Sequence, residues 1–368
     1  MTGIAVTQGV DRWWAWAASR VRAATAQTAP PTAPPHLAGV HNQQSGPAQT
    51  VVQTGQLLGG VHIHHGEATA PDNSAWLRAS WSVLGTAPME VRYLNRPGEG
   101  RLDCYLLTRA EGRTRAEAEQ RAATVRDHLG DIPGTATTGV TEDVEIHDVL
   151  RPFPPPGDVV ELRKRLTARR SSRDDAQHPW LTTVSPLRHQ RNSWEPLWSA
   201  LAAQPSRVLL SIGLAPYAVG PGLKAHLGAR AAELAKLAAP GPPTTAVWGG
   251  ARQPDPFAPI ARDAILDAAH RYTDRAFVVR ISLAGAGPVP GVLAELAATT
   301  ISPASAPAVV RPTPEDLPVA WNNLATLNFA SLSAYRQGMP AEALQGLDQT
   351  LASIVDMDEA AAVFRLPH

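Results

Sequence analysis

The sequence predicts an α+β protein: two ferredoxin-like α/β sandwich units with mixed sheets, preceded by a flexible N-terminal region. Three observations carry this expectation. Period-two apolar runs recur, with Val208, Leu210, Ile212 and Leu214 as one example and Phe277, Val279, Ile281 and Leu283 as the strongest. Three times a run of this kind leads through small residues into a stretch with helical spacing, which reads as a weak internal repeat. Finally, a length of 368 residues gives room for about two cores. The expected division is 1–75, 76–190, 191–300 and 301–368.

Residues 1–26 read as one short helix carrying Trp13, Trp14 and Trp16 beside Arg12, Arg20 and Arg22. On such a helix Trp13 and Trp16 share a face, which suits docking on a partner, packing on the protein's own core or contact with a membrane surface. Pro30-Pro31 and Pro34-Pro35 follow, and they favour an extended spacer. The stretch Val51-Val52-Gln53-Thr54-Gly55 to Gly59-Gly60-Val61-His62-Ile63-His64 alternates apolar steps with glycine turns, as small strands do. His62 and His64 on a strand would project to one side about 6–7 Å apart, near enough to share a metal ion. Two imidazoles do not close such a site, and a histidine-rich glycine linker is the plain alternative.

From residue 76 the pattern becomes that of a folded body. Leu102, Cys104 and Leu106 alternate with Asp103, Tyr105 and Leu107, as on a strand. Thr114 and Glu117 have capping-box spacing, and Ala118, Ala122, Val125 and Leu129 follow on one helical face that ends at Gly130. Val144–Leu150 reads as a strand, Asp158–Leu166 as a helix, Trp180–Ser185 as a weak strand and Ser193–Leu201 as a helix. In the second half Pro221 opens a helix through Leu234. Pro259–Tyr272 and Val289–Thr299 read as two more. Residues 301–320 read as a proline-rich linker and 320–363 as mainly helical.

Charge and motifs limit the function classes. Formal net charge is zero, so no whole-protein field draws the chain toward nucleic acid or an anionic membrane. One local exception runs from Glu161 to Arg191, with eight basic residues against three acidic ones. Arg163, Lys164, Arg165, Arg169, Arg170 and Arg173 there form a candidate nucleic-acid or protein-partner surface, with Trp180 or Trp194 available for base stacking. A solvated charged helix and loop explains the same residues. A single cysteine, Cys104, leaves no internal disulfide and fits a reducing cytoplasm. No run approaches the ~18 apolar residues of a membrane span, and the N-terminus lacks the pattern of a secretory signal.

Sequence signals for catalysis are sparse. The nearest approach to a phosphate-binding loop, Gly220-Pro221-Gly222-Leu223-Lys224, has the wrong spacing and no hydroxyl for magnesium. There is no Gly-x-Ser-x-Gly elbow. Cys104 falls on the inward face of its strand, and His147 and Asp148, adjacent in an expected strand, would point apart. No catalytic residue, cofactor or metal follows from these motifs.

Two resemblances extend this reading. The Val51–His64 element resembles a linker segment recurring in actinobacterial multidomain proteins of signalling or defence type. The unit around Leu106-Leu107-Thr108-Arg109, the strand Val208–Leu214 and the terminal Asp358-Glu359-Ala-Ala-Ala-Val363-Phe364-Arg365-Leu366-Pro367 together resemble the N-terminal region of HerA-like or conjugative type IV secretion ATPases. In that family the corresponding region precedes a motor that hydrolyses ATP and moves DNA. This chain lacks the motor's phosphate loop, so the resemblance implies a cytoplasmic, non-enzymatic module that associates with a separately encoded ring-forming ATPase, in a conjugation-like or defence (conflict) system, or else a truncated ATPase. No catalytic residue carries over.

Overall fold

A computed structural model describes residues 3–23, 73–154, 157–188, 193–243, 250–344 and 346–367. The α+β class holds, and a single large sheet crosses both halves of the chain. The His62 and His64 candidates lie outside the described residues, as does the proline spacer.

The N-terminus forms a hairpin instead of a helix, β1 (Ala5–Gln8) with β2 (Trp13–Ala23). The alternation that a three-residue helical reading obscures is real: Ala15 and Ala17 pack against one layer, Trp16 and Ala18 against the other. Then come α1 (Ser74–Leu84), β3 (Met89–Arg96), β4 (Arg101–Gly112), α2 (Arg115–Leu129) and β5 (Thr135–Gly139). Half of the expected capping box forms: Thr114 Oγ1 accepts from Glu117 N, but Glu117 Oε2 accepts from Arg113 N, one residue before the cap.

Two expected elements exchange type. Asp143–Leu150 is helix α3, with Ile146, Val149 and Leu150 buried on one side while Val144 is 77% exposed. Asp158–Arg163 is strand β6, not a helix. Its Val160 and Leu162 enter the main apolar core, and Val159, Glu161 and Arg163 are buried on the opposite face. Because both faces are covered, the period-two contrast is masked by buried charges.

Next come the hairpin β7 (Leu166–Arg170) and β8 (Trp180–Val184), then α4 (Glu195–Ala202), β9 (Val208–Ala218) and α5 (Pro221–Leu237). The short pair β10 (Gly241–Pro243) and β11 (Ala251–Arg252) precedes α6 (Ala258–Arg271), β12 (Arg275–Gly285) and α7 (Gly291–Ile301). The expected 301–320 linker contains β13 (Ala308–Val310) and runs into α8 (Leu317–Thr326). The chain continues through α9 (Gly346–Ser353), β14 (Ile354–Val355) and α10 (Met357–Val363).

The main sheet runs β1-β2-β4-β3-β9-β12-β6-β13, with β5 added on β2 and β14 on β12. All the pairings described are antiparallel, where mixed sheets were expected. Two wings, β1-β2-β4-β3 and β9-β12-β6-β13, meet at the β3–β9 pairing, Met89–Leu94 against Leu214–Leu209, and form one sheet rather than two separate sheets. One face is apolar and is covered by α1, α2, α4, α7 and α10. On the other face α3 and α8 pack over the sheet, and α5 and α6 enclose a further core with Leu181 and Tyr272.

Candidate functional site

The second face of the sheet carries an unusual load of charge. Glu90 and Arg92 on β3, Ser211 on β9, Arg280 and Ser282 on β12, and Glu161 and Arg163 on β6 are all buried. Strand register aligns them. Glu90, Gly213 and Arg280 form one cross-strand row, and Arg92, Ser211, Ser282 and Glu161 form the next. Gly213 leaves the gap across which Glu90 and Arg280 meet. A Cβ there would come within 3.1 Å of the Phe329 ring and 3.2 Å of Glu90 Oε2.

The arginines of this layer have a definite task. Glu90 Oε1 accepts from Arg92 Nε at 2.6 Å and from the Ser211 hydroxyl, and Glu90 Oε2 accepts from Arg280. The remaining guanidinium donors reach the ends of helices. Arg92 donates to Val149 O of α3 at 2.6 Å and to Leu324 O of α8; Arg280 donates to Asn323 O and, at 2.6 Å, to Asn328 O. Arg109 donates to Thr326 O at 2.8 Å. The last carbonyls of a helix lack internal donors and carry partial negative charge, so cations placed there satisfy both needs. Burial alone would raise the Glu90 carboxyl, but Arg280 and Arg92 outweigh it and hold it below the usual range.

Glu161 is the exception within the layer. Its Oε1 accepts from Ser282 Oγ at 2.9 Å, whereas Oε2 has no hydrogen-bond partner among the described residues. Desolvation pushes its carboxyl up to about 6, against the pull of Arg280 and Arg163. The same burial, with Glu161 close by, raises the Tyr335 phenol.

A second polar cluster joins β6 to α10. Lys164 Nζ donates to Glu359 at 2.7 Å and to the Tyr272 hydroxyl at 2.6 Å, and Arg271 reaches Asp356 at 2.7 Å and Glu359 at 2.9 Å. Asp356 and Glu359 also form the capping box of α10. Lys164 and Arg271 hold the Glu359 carboxyl below its usual range despite its burial. Beyond α10, Phe364 stacks on Trp76 of α1 at 6.0 Å and Tyr93 donates its hydroxyl proton to Arg365 O. Phe364 and Leu366 belong to the main core.

These placements revise the sequence-predicted sites. The basic segment does not form one patch. Arg163 and Lys164 are buried, and Arg173 is buried and bidentate to Asp175 at 2.7 and 2.6 Å. Only Arg165, Arg169 and Arg170 of the six are exposed, because β6 runs through the core before β7 emerges at the surface. Trp13 and Trp16 do not share a face: odd spacing on a strand sends Trp13 toward α2 and Trp16 toward α3. Trp16 is 4% exposed and packs within the protein's own core, which removes it as a docking residue; Trp13 is partly buried. Cys104 is buried and its thiol is pushed up by desolvation. His147 and Asp148 lie on a helix, not a strand. The sequence reading missed Glu90, Arg92 and Arg280. Their signal is charge alternating with apolar residues, Glu90 and Arg92 at period two inside Met89–Tyr93 and Arg280 between Val279 and Ile281, where solvent exposure is the usual explanation and helix-end carbonyls are the actual one.

Near α1 lies an open groove of about 530 Å3, between the end of that helix and α2. Leu84, Pro88, Ala110 and Val125 give it apolar walls, and Glu111, Glu117 and Arg121 line its rim. Val83 is 38% exposed beside it. Among the described residues no group of three or more His, Cys, Asp or Glu side chains is placed to hold a metal, and no helix is long and apolar enough to cross a membrane. Neither the models of known protein families nor the curated proteins compared with this sequence match it.

Proposed function

We propose that this chain is a non-enzymatic, cytoplasmic adaptor or assembly module that works by contact with a separately encoded, ring-forming ATPase of the DNA-pumping type. The observation that carries the reading is the setting of Asp358–Pro367, the segment whose sequence resembles the stretch before the motor in that family. It is anchored to the body at each step: Glu359 to Lys164 and Arg271, Phe364 to Trp76, and Arg365 to Tyr93. A segment held in this way transmits position rigidly, which an assembly platform requires. Helix α1 touches both this segment and the groove beside Val83, so a partner seated in the groove would be fixed relative to α10.

The test is co-purification of the full chain with a phosphate-loop ATPase encoded by a neighbouring gene. Val83→Asp, at an exposed position, should weaken that complex at least about tenfold while leaving thermal stability within ~0.5 kcal/mol of the parent. An unchanged complex would remove the groove from the reading, and ATP hydrolysis by the purified chain alone would end it. A nucleic-acid reading draws support from Arg169 and Arg170, exposed and without an ion pair among the described residues. It requires binding that falls steeply with salt and that is lost in the Arg169→Glu, Arg170→Glu double variant.

A further inference from the structure

Beside the charged layer, the end of β6, the turn at 331–337 and α9 enclose a cavity of about 300 Å3. Leu166 and Leu344 give it an apolar side, and Arg163, Tyr335 and Ser353 a polar one. Arg336 stands at its edge, exposed, its side chain without a hydrogen bond or ion pair among the described residues. No carboxylate is among the residues that line it.

Arg163 is the informative member. It is 6% exposed, and Arg92 and Arg280 on the same face share Glu90, yet no carboxylate lies within ion-pairing distance of Arg163 among the described residues. Its guanidinium donates to Val279 O at 3.0 Å and to Ser353 Oγ at 2.9 Å, and lies 3.9 Å from the centre of the Tyr335 ring. Glu161, on the same face of β6, attracts Arg163 without forming an ion pair with it, so this buried cation is only partly compensated, and a bound anion would lower the remaining cost. A guanidinium fork matches the oxygens of a phosphate or carboxylate, and two guanidiniums with no acid between them favour a doubly charged group. A phosphate monoester carries nearly that charge at neutral pH. The apolar side leaves room for an organic body, and the volume lies at the small end of ligand pockets.

We infer that this cavity binds a small organic phosphate, with Arg163 and Arg336 holding the phosphate and the Leu166–Leu344 side taking the body. The site is independent of the adaptor reading. Calorimetric titration and thermal melting of the full chain would use three probes: adenosine 5′-monophosphate, inorganic phosphate and benzoate. The monophosphate is expected to bind and raise the Tm, with benzoate at least about tenfold weaker. Arg163→Met should abolish binding, and Arg336→Ala should weaken it about tenfold. Lys224→Ala, on exposed α5 surface, should leave it unchanged. Because Arg336 is exposed, its variant keeps the test decisive if Arg163→Met does not fold. Inorganic phosphate binding as tightly as the monophosphate would overturn the organic body. Absence of binding, or equal affinity in Arg336→Ala and the parent, would overturn the site.

Discussion

At the scale of the residue, Glu90 holds the layer together. Its carboxylate serves two buried guanidiniums and one hydroxyl, and those guanidiniums in turn cap the ends of α3 and α8. Glu90→Gln keeps the shape and removes the charge, leaving Arg92 and Arg280 facing each other in a dry site. The expected loss is about 3–5 kcal/mol in urea unfolding; a loss below ~1 kcal/mol would mean that the helix-end carbonyls alone suffice. Glu161 acts in the opposite sense. Its carboxyl is raised from the ordinary 4.5 to about 6, so the folded state binds this proton more tightly than the unfolded chain does. The resulting stability is fully present below the ordinary value and is lost as pH rises through about 6, a contribution of ~2 kcal/mol. Glu161→Gln, which still accepts from Ser282, should therefore stabilise the protein at pH 7–8 and flatten its stability between about pH 4.5 and 6. An unchanged pH profile would show that the carboxyl titrates normally. Glu90 and Glu359, both held low, lose their contribution only as pH falls through their depressed values.

At the scale of the element, strand position decides what each charge meets. Gly213 lies between Glu90 and Arg280, where Phe329 presses on the backbone. Gly213→Ala should push the Phe329 ring and the Glu90 carboxylate apart and cost about 1–3 kcal/mol, although alanine suits a strand no worse than glycine. A neutral result in thermal melts would show that the 327–330 turn yields freely. The same elements show what the sequence makes legible. β9, β12, α2 and α5 are evident because one face is apolar and the other differs, or because a cap or proline marks the start. β6 is not, since Val159, Glu161 and Arg163 are as buried as Val160 and Leu162, and a helical spacing of Leu162 and Leu166 fits the same letters. The N-terminal tryptophans mislead for a similar reason: alanines flank them on both faces of β2, so hydrophobicity alone shows no alternation. The charged layer and the cluster between β6 and α10 depend on contacts between residues more than a hundred positions apart, Glu90 with Arg280 in the one and Lys164 with Glu359 in the other, which no local spacing encodes.

At the scale of the whole molecule, the β3–β9 pairing governs how the two wings behave. Six residue pairs join them, and Asn95 adds a clasp by accepting from Val208 N at 2.6 Å and donating to Ser206 O at 2.9 Å. A single apolar core runs beneath the junction, mixing Val91 and Leu106 of one wing with Ile212 and Ile281 of the other. The C-terminal segment ties them again, since Phe364 stacks on Trp76 while the ion pairs of Glu359 hold it to Lys164 and Arg271. Unfolding either wing alone would expose the junction strand of the other along with its share of that core. The chain is therefore expected to lose both wings in one cooperative transition, with calorimetric and van't Hoff enthalpies agreeing to within about ten per cent. Tryptophan fluorescence, which samples Trp16 in one wing and Trp194 and Trp198 in the other, should fall together with far-ultraviolet circular dichroism. Two resolved transitions would mean that the β3–β9 seam is a docking surface between independently stable units.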